Sequence, residues 1–138
     1  MQFIKFLYFL HLFFYLLFAS EQQNLYIMES TKIYELNFSY NWNNKLYNKA
    51  FTSIKLYNPN KYIINNLYKV NLKGNYLFTA KIIDLKIILA KDINNFIAYI
   101  DTGYSKEEVI NILSKIYKNN TDILNTKFHL LLLVRLEE

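Results

Sequence analysis

A lone glycine between an acid and a helix start is the tightest local constraint in this chain. Asp101-Thr102-Gly103-Tyr104 runs directly into Ser105-Lys106-Glu107-Glu108, and Gly103 is one of only two glycines among 138 residues. A glycine that scarce marks a backbone turn which a side chain would resist. Ser105 with Glu108 three residues on fits a capping box, which fixes the first turn of a helix. Val109, Ile112, Leu113, Ile116 and Tyr117 then recur at helical spacing, so one face of that helix packs on a core. Asp101 is thereby held at a junction between two ordered elements, where a carboxylate can be presented in a fixed position.

Upstream of that junction the period changes from helical to two. Tyr34, Leu36, Phe38 and Tyr40 alternate with Glu35, Asn37 and Ser39, the pattern of a strand with one buried face. Residues 41–49 read as a polar loop in which Trp42, Leu46 and Tyr47 still need cover. Residues 51–56 predict a second strand, ended by the turn signal Asn58-Pro59-Asn60. Residues 67–72 and 76–88 flank Lys73-Gly74-Asn75 and predict a hairpin. Residues 92–100 predict a short helix with Ile93, Phe96, Ile97 and Ile100 on one side. The capped helix covers 106–118, and 128–136 reads as a closing strand. No internal repeat or second domain is visible. The expected fold is α+β: a small, partly closed β-barrel with two short helices inserted before the last strand.

Composition narrows the function classes. A hydrophobic content of 53% is enough for one buried core. Aromatics at 18% suit strands. The net charge of +5 permits an anionic partner. Fifteen of the 16 basic residues are lysine, however, and Asn, Ile, Tyr and Phe are abundant. That bias fits AT-rich coding rather than a selected basic surface, and no run of like charges marks a binding arm. The absence of cysteine excludes disulfides and a thiol nucleophile. His11 and His129 lie in the leader and the last strand, so no histidine-based metal cluster is expected. Phosphate loops with several glycines are also lacking, and no cofactor is expected.

The leader has two readings. Lys5 precedes the uncharged run from Phe6 to Ser20, with Ala19 or Ser20 before a cleavage point near Glu21, as in a secretory signal peptide. Alternatively, translation starts at Met28, just before the first strand. Either way residues 1–27 are expected outside the fold and residues 28–138 within it. A start at Met28 implies a cytoplasmic protein; a signal implies a secreted or membrane-associated one. The run is too short for stable membrane insertion. A monomer is expected.

The order of a strand, a polar loop, Lys49-Ala50-Phe51-Thr52-Ser53-Ile54-Lys55-Leu56, a hairpin, two short helices and a last strand resembles the ASCH domain. ASCH proteins belong to the PUA-like superfamily, whose members are associated with RNA. The resemblance spans residues 33–136 and is strongest at 51–56, 62–72 and 97–117. It implies a PUA-like barrel that binds RNA or a modified nucleoside in a cleft between the 51–56 strand and the 101–104 turn. Thr52, Lys55, Thr102 and Tyr104 are its implied ligand contacts. Many relatives carry arginine where Lys55 stands, and lysine keeps the charge but loses the bidentate fork.

One branch of the family removes an acetyl group from acetylated cytidine with a lysine, a hydroxyl and an acid. Carried over by position, the hydroxyl is Ser53 and the acid Asp101. The strict lysine position holds Ala50, so Lys49, one residue earlier, is the candidate base. A desolvated lysine can activate a hydroxyl nucleophile, but a one-residue slip on a strand reverses the face. The tyrosines Tyr57, Tyr62 and Tyr68 read either as base-stacking platforms or as barrel wall. Asp101-Thr102-Gly103 also matches the tripeptide of dimeric aspartic proteases, which share one proton between two aspartates. A helix begins immediately after it and no glycine remains for a flap, so the context opposes that reading.

Overall fold

A computed structural model describes residues 9–21 and 33–137. The chain divides into two units, Met1–Lys32 and Ile33–Glu138. In the first, residues 9–21 form helix α1. Among the described residues no helix is long and apolar enough to cross a membrane. Met28, the alternative start, lies outside the described residues.

The second unit is α+β, a five-stranded mixed sheet curled into a half-barrel with a few short helices. Strands β1 (Tyr34–Phe38), β2 (Ala50–Leu56), β3 (Leu67–Leu72), β4 (Asn75–Leu89) and β5 (Lys127–Arg135) pair in the order β1-β3-β4-β5-β2. The β1–β3 pair is parallel and the other three are antiparallel. Helices α2 (Asn95–Thr102) and α3 (Lys106–Ile116) precede the last strand. This order places β1 and β2 at opposite edges, yet Phe38 of β1 meets Phe51 of β2 edge-on at 6.4 Å. Only a strongly curled sheet brings its two edges that close. The long β4 spans the curl, pairing with β3 through its first half and β5 through its second, with a register shift between Ile82 and Asp84.

The curl encloses one core and the helices cover another. Leu36, Phe38, Phe51, Tyr68, Val70, Phe78, Ile82, Leu131 and Leu133 fill the first. Each buried side chain of that size stabilises by roughly 1.5–3 kcal/mol. Tyr68 keeps its hydroxyl satisfied by donating to the Lys61 carbonyl at 2.6 Å and accepting from the Ile63 amide at 3.1 Å. Tyr62 and Tyr68 are thus barrel wall. Ala90, Ile93, Ala98, Val109, Leu113 and Phe128 form the second core, with Ile54 and Tyr117 against it.

Both helix starts follow from short polar residues. Asn94 accepts the Ile97 amide at 2.9 Å and opens α2. Ser105 and Glu108 exchange the two bonds of the capping box on α3. Gly103 takes φ +78 and ends α2, and a Cβ there would lie 3.4 Å from the Asn43 side chain. Two expectations are corrected. The first strand stops at Phe38 and leaves Tyr40 exposed against Trp42. The inner face of α2 carries Ala98 and Asp101, whereas Phe96 is 74% exposed.

Candidate functional site

Between β1 and β2, residues 41–48 make two tight turns instead of a loose polar loop. Asn43 and Asn44 sit at φ 55 and 52, a left-handed conformation that asparagine tolerates better than most residues with a side chain. Asn41 steadies the turn by accepting the Leu46 amide on its side-chain oxygen at 2.9 Å. Asn43 bonds across to the Tyr99 carbonyl at 3.2 Å and ties the turn to the end of α2. The two reversals drive Lys45 and Leu46 inward, and both are buried.

Lys45 enters the protein to meet Asp101. Its Nζ lies 2.8 Å from Asp101 Oδ1, with each side chain only 6% exposed. Thr52 Oγ1 donates to the same oxygen at 2.8 Å. Burial pushes the Lys45 ammonium toward deprotonation, and the Asp101 carboxylate opposes that shift. Truncating one partner of such a pair is far costlier than the pair is worth, because the survivor keeps a buried, unmatched charge.

A second lysine lies nearby without such a match. Lys55 Nζ stands 4.2 Å from the centroid of the Phe38 ring, and Lys45 Nζ stands 5.9 Å from the same ring. Lys55 makes no ion pair or side-chain hydrogen bond among the described residues. Its pKa is lowered to about 8, chiefly by burial and then by the Lys45 charge; Asp101 opposes the shift and Lys61 adds to it. The ring face contributes a cation–π attraction of roughly 0.5–2 kcal/mol, which together with the Asp101 charge partly offsets the half-burial of the ammonium.

Lys45, Lys55, Asp101 and Phe38 line one cleft of about 460 Å³ at the seam between the two sheet edges. Asn37, Phe38 and Ser39 come from the end of β1, Ser53, Ile54 and Lys55 from β2, Lys45 from the tight turn, and Asp101 from α2. Trp42 and Tyr117 add aromatic wall. Among the described residues the buried polar or charged ones are Lys45, Ser53, Asp101 and His129, and the first three of these line this cleft. A larger, more open hollow of about 750 Å³ lies across the rim, lined by Glu35, Lys69 and Lys73 among others, and includes none of them. The cleft's size suits a small ligand, for which about 300–1,000 Å³ is usual.

The structure joins some of the sequence candidates and separates others. Asp101 and Thr52 meet directly. Ser53 is buried and lines the cleft, but strand alternation turns it to the face opposite Thr52, so its hydroxyl does not touch Asp101. Lys49 is exposed and pairs with Glu137 at 3.0 Å, so the lysine beside Asp101 is Lys45. Thr102 lines the cleft with its hydroxyl committed locally, donating to the Ala98 carbonyl at 2.8 Å and accepting the Tyr104 amide at 3.1 Å. Tyr104 packs edge-on against Trp42 at 5.4 Å and borders a neighbouring hollow. Tyr57 stacks on His129 at 4.8 Å.

Lys45 is the residue that sequence reasoning missed. Its signal was faint: a lysine beside Leu46, in a segment whose apolar residues had to be covered by something. Among the described residues no group of three or more His, Cys, Asp or Glu side chains is placed to hold a metal ion. Compared with known proteins, the chain matches no family profile, no curated protein and no solved structure.

Proposed function

We propose that the chain is a small PUA-like module, akin to the ASCH proteins its sequence resembles, whose seam cleft binds RNA or a modified nucleoside. One observation carries this reading: three of the buried polar residues converge on a single ligand-sized cleft, beside an ammonium that has no carboxylate partner. A half-buried cation without an ion-pair partner is a group that an anionic ligand can match. Lys55 then meets a phosphate, Ser53 supplies a hydroxyl, and the aromatic wall offers faces for a base.

Trp42 is the only tryptophan of the chain and lines the cleft, so its emission reports occupancy. Titration with cytidine monophosphate and with short single-stranded RNA should give a saturable change that weakens as salt rises. Lys55→Ala should lower RNA affinity about tenfold whatever the sequence, since a phosphate contact positions without specifying. Binding indifferent to both salt and this substitution would remove the cleft from consideration.

A second reading, amidohydrolysis of acetylated cytidine, is favoured by the way Lys45 and Thr52 share one oxygen of Asp101. In it the Thr52 hydroxyl adds to the acetyl carbon as its proton passes to Asp101, and the C–N bond to cytidine breaks with Lys45 protonating the departing amine. Water then hydrolyses the acetyl-threonine ester to release acetate. Release of acetate that stops in Thr52→Val while the fold persists supports this reading. No turnover by the intact protein ends it.

A further inference from the structure

Lys45 and Lys55 share one aromatic ring and one cleft, but only Lys45 is neutralised. Asp101 and Thr52 satisfy Lys45, and its amine is enclosed in that bond network. Lys55 reaches the same cleft from β2 with the face of Phe38 against it and no acceptor among the described residues. The ionisable groups around it are Lys45 from the tight turn, Asp101 from α2, Lys61 from the loop after β2, His129 opposite it on β5, and Lys115 of α3 with Tyr117 just after that helix on the cleft wall. Cations outnumber the one carboxylate in that set. A half-buried amine beside other cations, with Asp101 already paired to Lys45, has the surroundings that activate a lysine as a nucleophile.

We propose that Lys55 is a covalent capture site, condensing with the carbonyl of an anionic aldehyde or ketone that enters the cleft. The free amine adds through its lone pair to the carbonyl carbon, forming a C–N bond, and the carbonyl oxygen takes up a proton. Loss of that oxygen as water, with the C–O bond breaking, leaves an iminium. The net change is ammonium plus carbonyl to protonated imine plus one water, with charge conserved and no oxidant or reductant consumed. The excess of cations draws an anionic carbonyl compound in preference to a neutral one. A pKa near 8 leaves a usable share of Lys55 as free amine at neutral pH, where an ordinary surface lysine has almost none. The inference is independent of the nucleoside reading, because it needs only the cleft and the amine.

The full chain should be treated with limiting pyridoxal phosphate at pH 7.5, reduced with borohydride, and mapped by mass spectrometry. Lys55 should carry the reduced adduct first, at least about tenfold faster than the exposed Lys49. The rate at Lys55 should rise with pH to a midpoint near 8. In Lys55→Arg, which keeps the charge, labelling should fall to the slow background of the exposed lysines. Adducts spread over exposed lysines with Lys55 no faster, or Lys55 labelled only after denaturation, would overturn the proposal. Both results are read on the unsubstituted protein, so they hold whether or not the variant folds.

Discussion

Inside the curl the buried side chains are aliphatic and aromatic, and the Tyr68 hydroxyl has both its partners in the backbone. The seam alongside buries Lys45, Ser53 and Asp101 and leaves Lys55 against a ring. The first region gains its stability from area removed from water. The second spends part of that gain in holding charges away from water, which gives them chemical character that an exposed residue lacks. Phe38 belongs to both: one residue packs on Phe51 in the core and floors the site under Lys55.

Substitutions should separate the two regions by size and by sign. The largest loss is expected at Phe78, which is 2% exposed and packed between Phe51 and the Arg135 guanidinium. Phe78→Ala should destabilise by about 4 kcal/mol in denaturant unfolding, through lost burial and the cavity left behind. Asp101→Asn should cost about 3 kcal/mol, because Lys45 keeps its charge without a counter-charge. Replacing both partners, as Lys45→Met with Asp101→Leu, should recover most of that loss. If the double variant were no more stable than Asp101→Asn, the pair would be a structural necessity and the comparison would break.

Lys55→Met should give the smallest effect and the opposite sign, a gain of roughly 1 kcal/mol at pH 7, as an unmatched cation is exchanged for an apolar chain. The pH dependence follows from the same shift. The folded pKa is lowered from 10.5 to about 8, so between those values the unfolded chain binds more protons than the folded one. Stability from this residue therefore rises as pH increases from 8 to 10.5. Lys55→Met should lack that increment, and the difference between the two proteins cancels the titration of the tyrosines and of Lys45. Equal slopes would mean that the seam does not hold Lys55 away from water.

What could be read from the sequence was local. Alternation located β1 because a strand repeats every two residues whatever it packs against, and the turn signals Asn58-Pro59-Asn60 and Lys73-Gly74-Asn75 bounded β2 and the β3–β4 hairpin. The capping box and Gly103 located the helix starts and stops because those bonds close within a few residues. The inner face of α2 could not be read this way. Hydrophobicity assigned it to Ile93, Phe96, Ile97 and Ile100; Ile93 is buried and Ile97 packs on the second core, but Phe96 and Ile100 are exposed and the helix is turned so that Asp101 reaches a lysine 56 residues earlier. Lys45 itself was hidden by the two left-handed asparagines before it, which reverse a segment that looks like an ordinary polar loop. Ser53 is the hydroxyl that the sequence resemblance implies beside Asp101 and Thr52 only a ligand contact, yet the fold turns the Thr52 face toward α2.

The meeting of the sheet's two edges also bears on how the protein behaves in company. An open sheet ends in strands whose unpaired backbone groups can recruit any extended chain, the usual route to fibrils and swapped dimers. Here the terminal strands turn toward each other, and Phe38, Phe51 and Lys55 fill the gap, so neither edge offers a long flat template. A charged lysine on an edge strand is itself a deterrent to unwanted pairing. The closeness of the two edges thus guards against self-association, and widening the gap between them would weaken that guard.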